Sequence, residues 1–116
     1  MSVQMNLEQL NSMIPQGKIL EAFEEFYSDD IVMRENNENV REGKEENREY
    51  ERQFVDSVKE FHKADVKSVV VDGNKSVVEW SMDFTFENGQ RAKRDQVSIQ
   101  EWENDKITEE RFYYKA

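Results

Sequence analysis

The spacing of hydrophobic residues changes near Ala64, and this change restricts the folds that the chain can adopt. Before Ala64 these residues recur every three or four positions, which is typical of amphipathic helices. After it they alternate with polar residues, which is typical of strands with one buried face. Helices followed by strands that turn back on one another predict an α+β domain, in which the helices cover one face of an antiparallel sheet.

Three helices are predicted in the first half of the chain. The first follows Asn6, whose side chain can cap it. The second begins at Lys18, and the third follows Gly43 and extends to Phe61, because apolar side chains recur there at helical spacing. His62 would then lie at the C-terminal end of the third helix, where its positive form suits the helix dipole and no catalytic role is needed.

Five strands are predicted, one short strand at residues 31–33 and a four-stranded meander after Ala64. Segments rich in Gly, Asn and Asp separate the meander strands, as turns do. The meander strands are predicted at residues 66–71, 76–86, 91–102 and 107–114. The polar segment RENNEN follows the short first strand, and it is interpreted as a loop at the rim of a candidate site.

The composition favours one folded domain over residues 1–116 that does not bind polyanions. Seven Phe, four Tyr and two Trp supply a core although only 36% of the residues are hydrophobic. A net charge of −10 repels phosphate groups and anionic lipids, so no nucleic-acid and no membrane partner is expected. The lack of cysteine excludes disulfides and thiol chemistry. The lack of cysteine and the lack of a visible signal peptide together favour a cytoplasmic location.

Strand alternation predicts which side chains of the meander face the helices. In the third meander strand Val97 and Ile99 are interpreted as the inward pair, which places Asp95 on the same face. In the last strand Glu110 shares a face with Phe112. Two carboxyl groups would therefore lie beside the core, where burial raises the pKa of a carboxyl group. The alternative is that each reaches water at a strand end or pairs with an arginine.

Particular runs of the sequence resemble a known family. The runs FYSDDIVMREN and RDQVSIQEWENDKITEERFYY, with a glycine opening the long helix between them, are similar to the SnoaL-like branch of the nuclear transport factor 2-like superfamily. That branch is related to polyketide cyclases and ketosteroid isomerases. The resemblance covers essentially the whole chain. It implies a curved, cone-shaped sheet wrapped around three N-terminal helices, with a single deep pocket.

The resemblance also implies candidate catalytic residues. Glu35 stands at the position of the general base in the isomerases, and Asp95 stands at that of a protonated oxyanion donor. The second oxyanion donor of the isomerases, a tyrosine on the first helix, has no counterpart, because Leu10 and Asn11 occupy that region. The histidine arrangement of the cyclases is not reproduced either, since His62 is the only histidine.

Three functions remain open at this point. The first is a cofactor-independent isomerase, cyclase or dehydratase, with Glu35 as base and Asp95 as acid. The second is a ligand-binding module without catalysis, and the third is a structural domain whose aromatic residues fill the cavity. The expected walls of a pocket for a small apolar or cyclic molecule are Trp80, Met82, Phe84, Val97, Glu110, Phe112 and Tyr114.

The expected partners are a small-molecule ligand and a second copy of the chain. The sheet face that carries Glu79, Ser81, Asp83 and Thr85 is polar and regular, and sheets of this kind pair in many relatives, so a homodimer through the sheet is predicted. No metal and no cofactor are expected. Glu35, Asp95 and Glu110 could supply oxygen ligands, but no metal-binding spacing accompanies them.

Overall fold

The computed structural model describes residues 2–115, which form three helices and six strands. The predicted α+β class is therefore confirmed. The helices are α1 (Val3–Met13), α2 (Ile19–Phe26) and α3 (Lys44–Ser57). The strands are β1 (Tyr27–Glu35), β2 (Glu38–Glu42), β3 (Val58–Asp72), β4 (Lys75–Phe86), β5 (Arg91–Glu103) and β6 (Lys106–Tyr114). None of the helices within residues 2–115 is long and apolar enough to cross a membrane.

The six strands form one curved, mixed sheet. Their order is β2-β1-β6-β5-β4-β3, so the predicted meander runs from β3 to β6. Every neighbouring pair is antiparallel except β1 and β6, which are parallel. This parallel contact joins the N-terminal strands to the end of the meander. It brings residues that are far apart in sequence to the same side of the sheet.

Strand β2 was not predicted, because the RENNEN segment was interpreted as a loop. Asn36 and Asn37 instead form a tight turn with φ angles of 52° and 64°, in the left-handed region that asparagine tolerates. The turn returns the chain so that Glu38 pairs with Glu35 and Arg41 with Met33. The Asn-Asn pair was the available signal for this hairpin.

The predicted end of the third helix at Phe61 is wrong, because α3 ends at Ser57 and the chain continues directly into β3. Phe61 pairs with Phe84 of β4 across the sheet. His62 therefore lies on a strand, with Nε2 2.7 Å from Thr85 Oγ1. Phe54 on α3 and Phe61 on β3 both pack against Phe84, so an apolar residue at helical spacing also occurs after the helix has ended. The spacing alone could not locate the boundary.

The predicted cap of the first helix is also wrong. Helix α1 begins earlier, with Ser2 as its N-cap, and the Ser2 side chain accepts a hydrogen bond from the backbone N–H of Met5. Asn6 is instead buried within the helix, and its Nδ2 donates to Asp105 Oδ1 at 3.1 Å. The Asn6 side chain is hydrogen-bonded to Asp105, as buried polar groups usually are, and it does not cap the helix.

The predicted inward face of β5 is wrong by one residue. Gln96 pairs with Trp80 and Ser98 with Val78, and directly opposed residues of an antiparallel pair share a face. Gln96, Ser98 and Gln100 are buried and face the helices. Asp95, Val97 and Ile99 therefore lie on the outer face, and Asp95 is exposed. Trp102 has the same parity as the buried residues, and it was the signal for the correct face.

The hydrophobic core lies between the helices and the inner face of the sheet. One part of it is an aromatic cluster around Phe84, which is 0% exposed. The ring centroids of Phe54, Phe61 and Phe86 lie 5.6, 5.3 and 5.2 Å from that of Phe84. These are the distances of favourable ring pairs, so the cluster fixes the end of α3 against β3 and β4.

Replacing Phe84 by alanine is expected to lower the free energy of unfolding by about 3–5 kcal/mol, because it leaves a cavity among three rings. The matched control is Val40→Ala on β2 of the same sheet, where the residue is 50% exposed and the loss should stay within about 0.5 kcal/mol. Urea denaturation followed by tryptophan fluorescence measures both. Equal losses in the two variants would contradict the placement of Phe84 at the centre of the cluster.

Candidate functional site

A cavity of about 120 Å³ lies between the helices and the inner face of the sheet. Its apolar lining includes Leu10, Phe23, Phe54, Trp80, Met82 and Phe112. Its charged and polar lining includes Glu35, Arg41, Glu51, Arg94, Gln100 and Glu110. A mainly apolar lining with a few polar groups among it is the usual form of a small-molecule site.

Glu110 is the most buried carboxyl group in the cavity, with 2% of its residue surface exposed. Tyr27 OH donates a hydrogen bond to Oε1, and Gln100 Nε2 donates to Oε2 at 2.8 Å. Behind them Ser76 Oγ donates to Gln100 Oε1 at 2.6 Å, and Trp102 Nε1 donates to Ser76 Oγ at 2.9 Å. This hydrogen-bonded chain holds the carboxyl group in one orientation.

Burial raises the pKa of Glu110 to about 7, even though the hydrogen bonds from Tyr27 and Gln100 and the charge of Arg41 act in the opposite direction. Burial also raises the pKa of Tyr27 well above its usual value, with a further contribution from the charge of Glu110. Tyr27 therefore stays a neutral donor. Glu110 can gain or lose a proton near neutral pH.

A second carboxyl group with a raised pKa, that of Glu51 on α3, lines the same cavity. Burial raises the pKa of Glu51 to about 7, and the negative charge of Glu110 adds to the effect. No hydrogen bond to Glu51 is formed by the residues that the structure describes. Because each charge opposes the other, the two carboxyl groups lose their protons one after the other, and one proton is shared between them near neutral pH.

Glu35, the predicted general base, also lines the cavity, but its surroundings differ from those of Glu110. Its Oε2 accepts hydrogen bonds from Tyr50 OH at 2.5 Å and from Arg41 Nη1 at 2.9 Å. Its Oε1 accepts one from Tyr114 OH at 2.8 Å. Burial alone would raise the pKa of Glu35, but the two tyrosine hydrogen bonds and Arg41 outweigh it and lower the pKa. Glu35 therefore stays ionised.

Arg41 of β2 lies beside Glu35 and is itself buried, with 4% of its surface exposed. Its Nε donates to Asn47 Oδ1 at 3.2 Å, its Nη1 also donates to the carbonyl of Asn39 at 3.0 Å, and its guanidinium carbon lies 3.6 Å from the Tyr50 ring centroid. Its Nη2 is buried without a hydrogen-bond partner among residues 2–115. A second cavity arginine, Arg94, stacks 4.0 Å from the Tyr114 ring centroid.

The structure brings together several of the predicted site residues. Glu35, Glu110, Trp80, Met82 and Phe112 line the cavity. Tyr114 contacts it through Glu35, and Phe84 is packed within the aromatic cluster. The placement of Asp95 and Val97 in the site is wrong, since both lie on the outer face of the sheet for the reason given above.

The sequence analysis did not predict several polar residues of the site, namely Tyr27, Arg41, Tyr50, Glu51, Arg94, Gln96, Ser98 and Gln100. Glu51 was not singled out in the sequence, although it precedes Phe54 by three positions and so shares its face of the helix. No pattern in the sequence indicated that Arg41 faces the site, because strand β2, which carries it, was not predicted. Histidine and acidic residues form no group that could hold a metal ion in the part of the chain that the structure describes.

Replacing Glu110 by glutamine is expected to reduce the pH dependence of stability. The folded-state pKa of Glu110, about 7, is above its ordinary 4.5, so folding favours the protonated form. That contribution is complete below about pH 4.5 and is lost as the pH rises through about 7, by about 3 kcal/mol. Urea denaturation at several pH values measures the slope. The same slope in Glu110→Gln and in the wild-type chain would contradict the raised pKa.

The sequence profile of the SnoaL-like domain family matches residues 1–114. Among solved structures, a Mesorhizobium loti protein provisionally named a SnoaL-like polyketide cyclase is similar to the chain, with 30% identity and a TM-score of 0.86. The alignment covers 98% of this chain and 100% of that protein. No curated protein sequence matches the chain.

Two further structures are similar in fold. A Jannaschia protein, also provisionally named a SnoaL-like polyketide cyclase, has 14% identity and a TM-score of 0.83, with 97% of this chain and 86% of that protein covered. A Bacillus subtilis protein provisionally named an isomerase has 16% identity and a TM-score of 0.73, with 96% and 84% covered. With its profile match, its sheet order and its cavity, the chain belongs to the SnoaL-like domain family.

Proposed function

We propose that the cavity binds a small cyclic or apolar molecule and catalyses proton transfer at a carbon next to its carbonyl group. The observation that carries this proposal is the Glu110 carboxyl group, which is buried in the cavity, held by two hydrogen bonds, and has a pKa of about 7. A general base is most effective when its pKa lies near the working pH.

The two carboxyl groups with raised pKa values, those of Glu51 and Glu110, have different roles in this proposal. Tyr27 and Gln100 donate hydrogen bonds that stabilise the Glu110 anion, whereas no described residue donates one to Glu51. When one proton is shared, it therefore resides on Glu51. Ionised Glu110 removes a proton from the substrate carbon, and protonated Glu51 hydrogen-bonds the developing enolate oxygen. Glu110 then returns the proton to a second carbon, so the reaction is an isomerisation with no net gain or loss of atoms.

Glu35 has another role in this scheme. Three hydrogen bonds and a lowered pKa make its carboxylate a weak base, and they make it a fixed negative charge that holds Arg41 and two tyrosines in place. Its assignment as the general base stays a prediction. The geometry favours Glu110, whose surroundings allow the proton to be exchanged near neutral pH.

The size of the cavity limits the substrate. A volume of about 120 Å³ is of the same order as the ~150 Å³ of a dry apolar cavity that takes up benzene. A single six-membered ring with a few small substituents is the size of ligand that this volume favours. A fused multi-ring molecule would require the wall formed by α1 and α2 to move.

The isomerisation of 3-cyclohexen-1-one to its conjugated isomer tests the proposal. Ultraviolet absorbance measures the product, and deuterium incorporation from the solvent, measured by NMR, reports the proton transfer. Glu110→Gln is expected to lower the rate by about 10²–10⁴, because the general base is removed. Glu51→Gln should lose less, because its amide still donates a hydrogen bond. The wild-type rate should peak near the pKa of the pair, at about pH 7.

The matched control is Glu109→Gln, a neighbouring carboxylate that contacts Arg34 on the other face of the same strand, and its rate should equal that of the wild-type chain. A wild-type rate no greater than that of the buffer would contradict catalysis of this kind. If the ketone bound without turnover, the cavity would be that of a ligand-binding module.

We further propose that the chain forms a homodimer through the outer face of the sheet. Opposed pairs place Val70 beside Val77 and Val77 beside Ile99, which continues an apolar strip across three strands. Val70 is 60% exposed, so a copy packed on this strip would remove apolar surface from water.

Replacing Ile99 by lysine is expected to convert the dimer to a monomer, because a charge would be buried at the interface. Analytical ultracentrifugation over a range of protein concentrations measures the mass. The control is Met5→Lys, an exposed apolar residue on α1 away from the sheet face, which should leave the dimer intact. A wild-type chain that stays monomeric at every concentration would contradict the proposal.

A further inference from the structure

Arg41 lines the cavity and has one hydrogen-bond donor that is not used. Its Nε and Nη1 are occupied by Asn47, Glu35 and the carbonyl of Asn39, whereas Nη2 is buried without a partner among the residues described. A buried polar atom without a partner costs free energy, and such atoms are rare in folded proteins. The Arg41 side chain is 5% exposed and lines the cavity, so an oxygen atom of a bound molecule can complete its hydrogen bonds.

The orientation of the guanidinium is fixed before any ligand binds. It stacks on the Tyr50 ring and is held by Asn47, whose Nδ2 in turn donates to backbone carbonyls of β1 and of the segment before α3. Because the guanidinium is fixed, its free N–H favours a ligand whose acceptor atom binds at one defined position. A carboxylate oxygen meets this condition, because a hydrogen bond between two charged groups is shorter and stronger than one between neutral groups.

Titratable and charged groups line the cavity from β1, β2, α3, β5 and β6, whereas the lining residues of α1, α2, β3 and β4 carry no charge. These groups are Tyr27 and Glu35 of β1, Arg41 of β2, Tyr50 and Glu51 of α3, Arg94 of β5, and Glu110 and Tyr114 of β6. Two are permanent cations, and one, Glu35, is a carboxylate with a lowered pKa. Arg94 forms ring contacts with Phe84 and Tyr114. The fixed charge therefore sums to one positive unit whenever Glu51 and Glu110 are protonated.

We propose that the ligand of this cavity is a small cyclic monocarboxylate, whose carboxylate accepts a hydrogen bond from Arg41 Nη2 while its ring lies against Trp80 and Phe112. The inference rests on the proposed function, in that it assigns a ligand class to the same cavity. It adds a substrate carboxylate to the carbonyl-containing ring at which the proton transfer takes place.

Binding of a monocarboxylate is expected to depend on pH. The pKa values of Glu51 and Glu110 are both about 7, and the two groups lose their protons one after the other as the pH rises through this range, so the charge sum falls from +1 through 0 to −1. Below this range the sum is +1, which favours one anion. Binding an anion therefore favours protonation of these two groups, and proton uptake accompanies binding near neutral pH.

Benzoate and its neutral isostere benzamide are the probes, and isothermal titration calorimetry measures both at about pH 6 and at about pH 8. At the lower pH benzoate is expected to bind about tenfold more tightly than benzamide. At the higher pH benzoate should lose at least that factor, whereas benzamide should change little. Equal affinities at the lower pH, or no binding of benzoate at millimolar concentration, would overturn the proposal.

Two variants locate the contact. Arg41→Gln should reduce benzoate affinity to that of benzamide. The matched control is Arg111→Gln. Arg111 also has a buried Nε without a hydrogen-bond partner among residues 2–115, but that Nε forms an ion pair with Glu109 at 3.6 Å, and Arg111 pairs with Ile99 on the outer face of the sheet. If circular dichroism shows that Arg41→Gln does not fold, the comparison of benzoate with benzamide in the wild-type chain decides the proposal by itself.

The two proposals fail in different ways. Benzoate affinity is measured without turnover, so a chain that selects benzoate but does not isomerise 3-cyclohexen-1-one would contradict the catalytic proposal alone. A chain that isomerises the ketone and binds benzamide as tightly as benzoate would contradict the monocarboxylate proposal alone.

Discussion

The amide of Asn47 joins the elements on which the candidate site depends. Its side chain is 0% exposed, and its Nδ2 donates to the backbone carbonyls of Ile31, Arg41 and Gly43, while its Oδ1 accepts from Arg41 Nε. These contacts fix β1, the end of β2 and the start of α3 relative to one another. Because Arg41 is oriented by the same amide, the position of the cavity guanidinium follows from the packing of the backbone.

Much of the fold could be predicted from the sequence, because its main signal is the spacing of hydrophobic residues. The change near Ala64 separated the helical half from the meander, and the alternation from Val78 to Phe84 identified the inner face of β4. The errors in the predicted elements arose where strand pairing or turn geometry, and not hydrophobic spacing, determined the structure. Phe61 fits the helical spacing, but pairing with Phe84 places it in a strand, and β2 depends on a left-handed Asn-Asn turn that carries no hydrophobic pattern.

The site was harder to predict because its inner surface is partly polar. Hydrophobic residues were assumed to face inward, so Val97 was placed inside and Gln96 outside, whereas the cavity requires the reverse. Glu110 was placed correctly because Phe112 on the same strand has the same parity and lines the cavity. The importance of Glu51 depends on how α3 is rotated against the sheet, and that rotation is a tertiary property.

The chain of hydrogen bonds behind Glu110 has a direction that its first member determines. An indole N–H can only donate, so Trp102 donates to Ser76, Ser76 donates to Gln100, and Gln100 donates to Glu110. No member can reverse without losing a bond, so Gln100 presents its amide N–H to Oε2 in both protonation states of the carboxyl group. The proton of neutral Glu110 is therefore favoured on Oε1, because the Tyr27 hydroxyl can turn from donor to acceptor and the Gln100 amide N–H cannot. A residue in the core of the protein therefore determines which of two chemically equal oxygen atoms carries the proton.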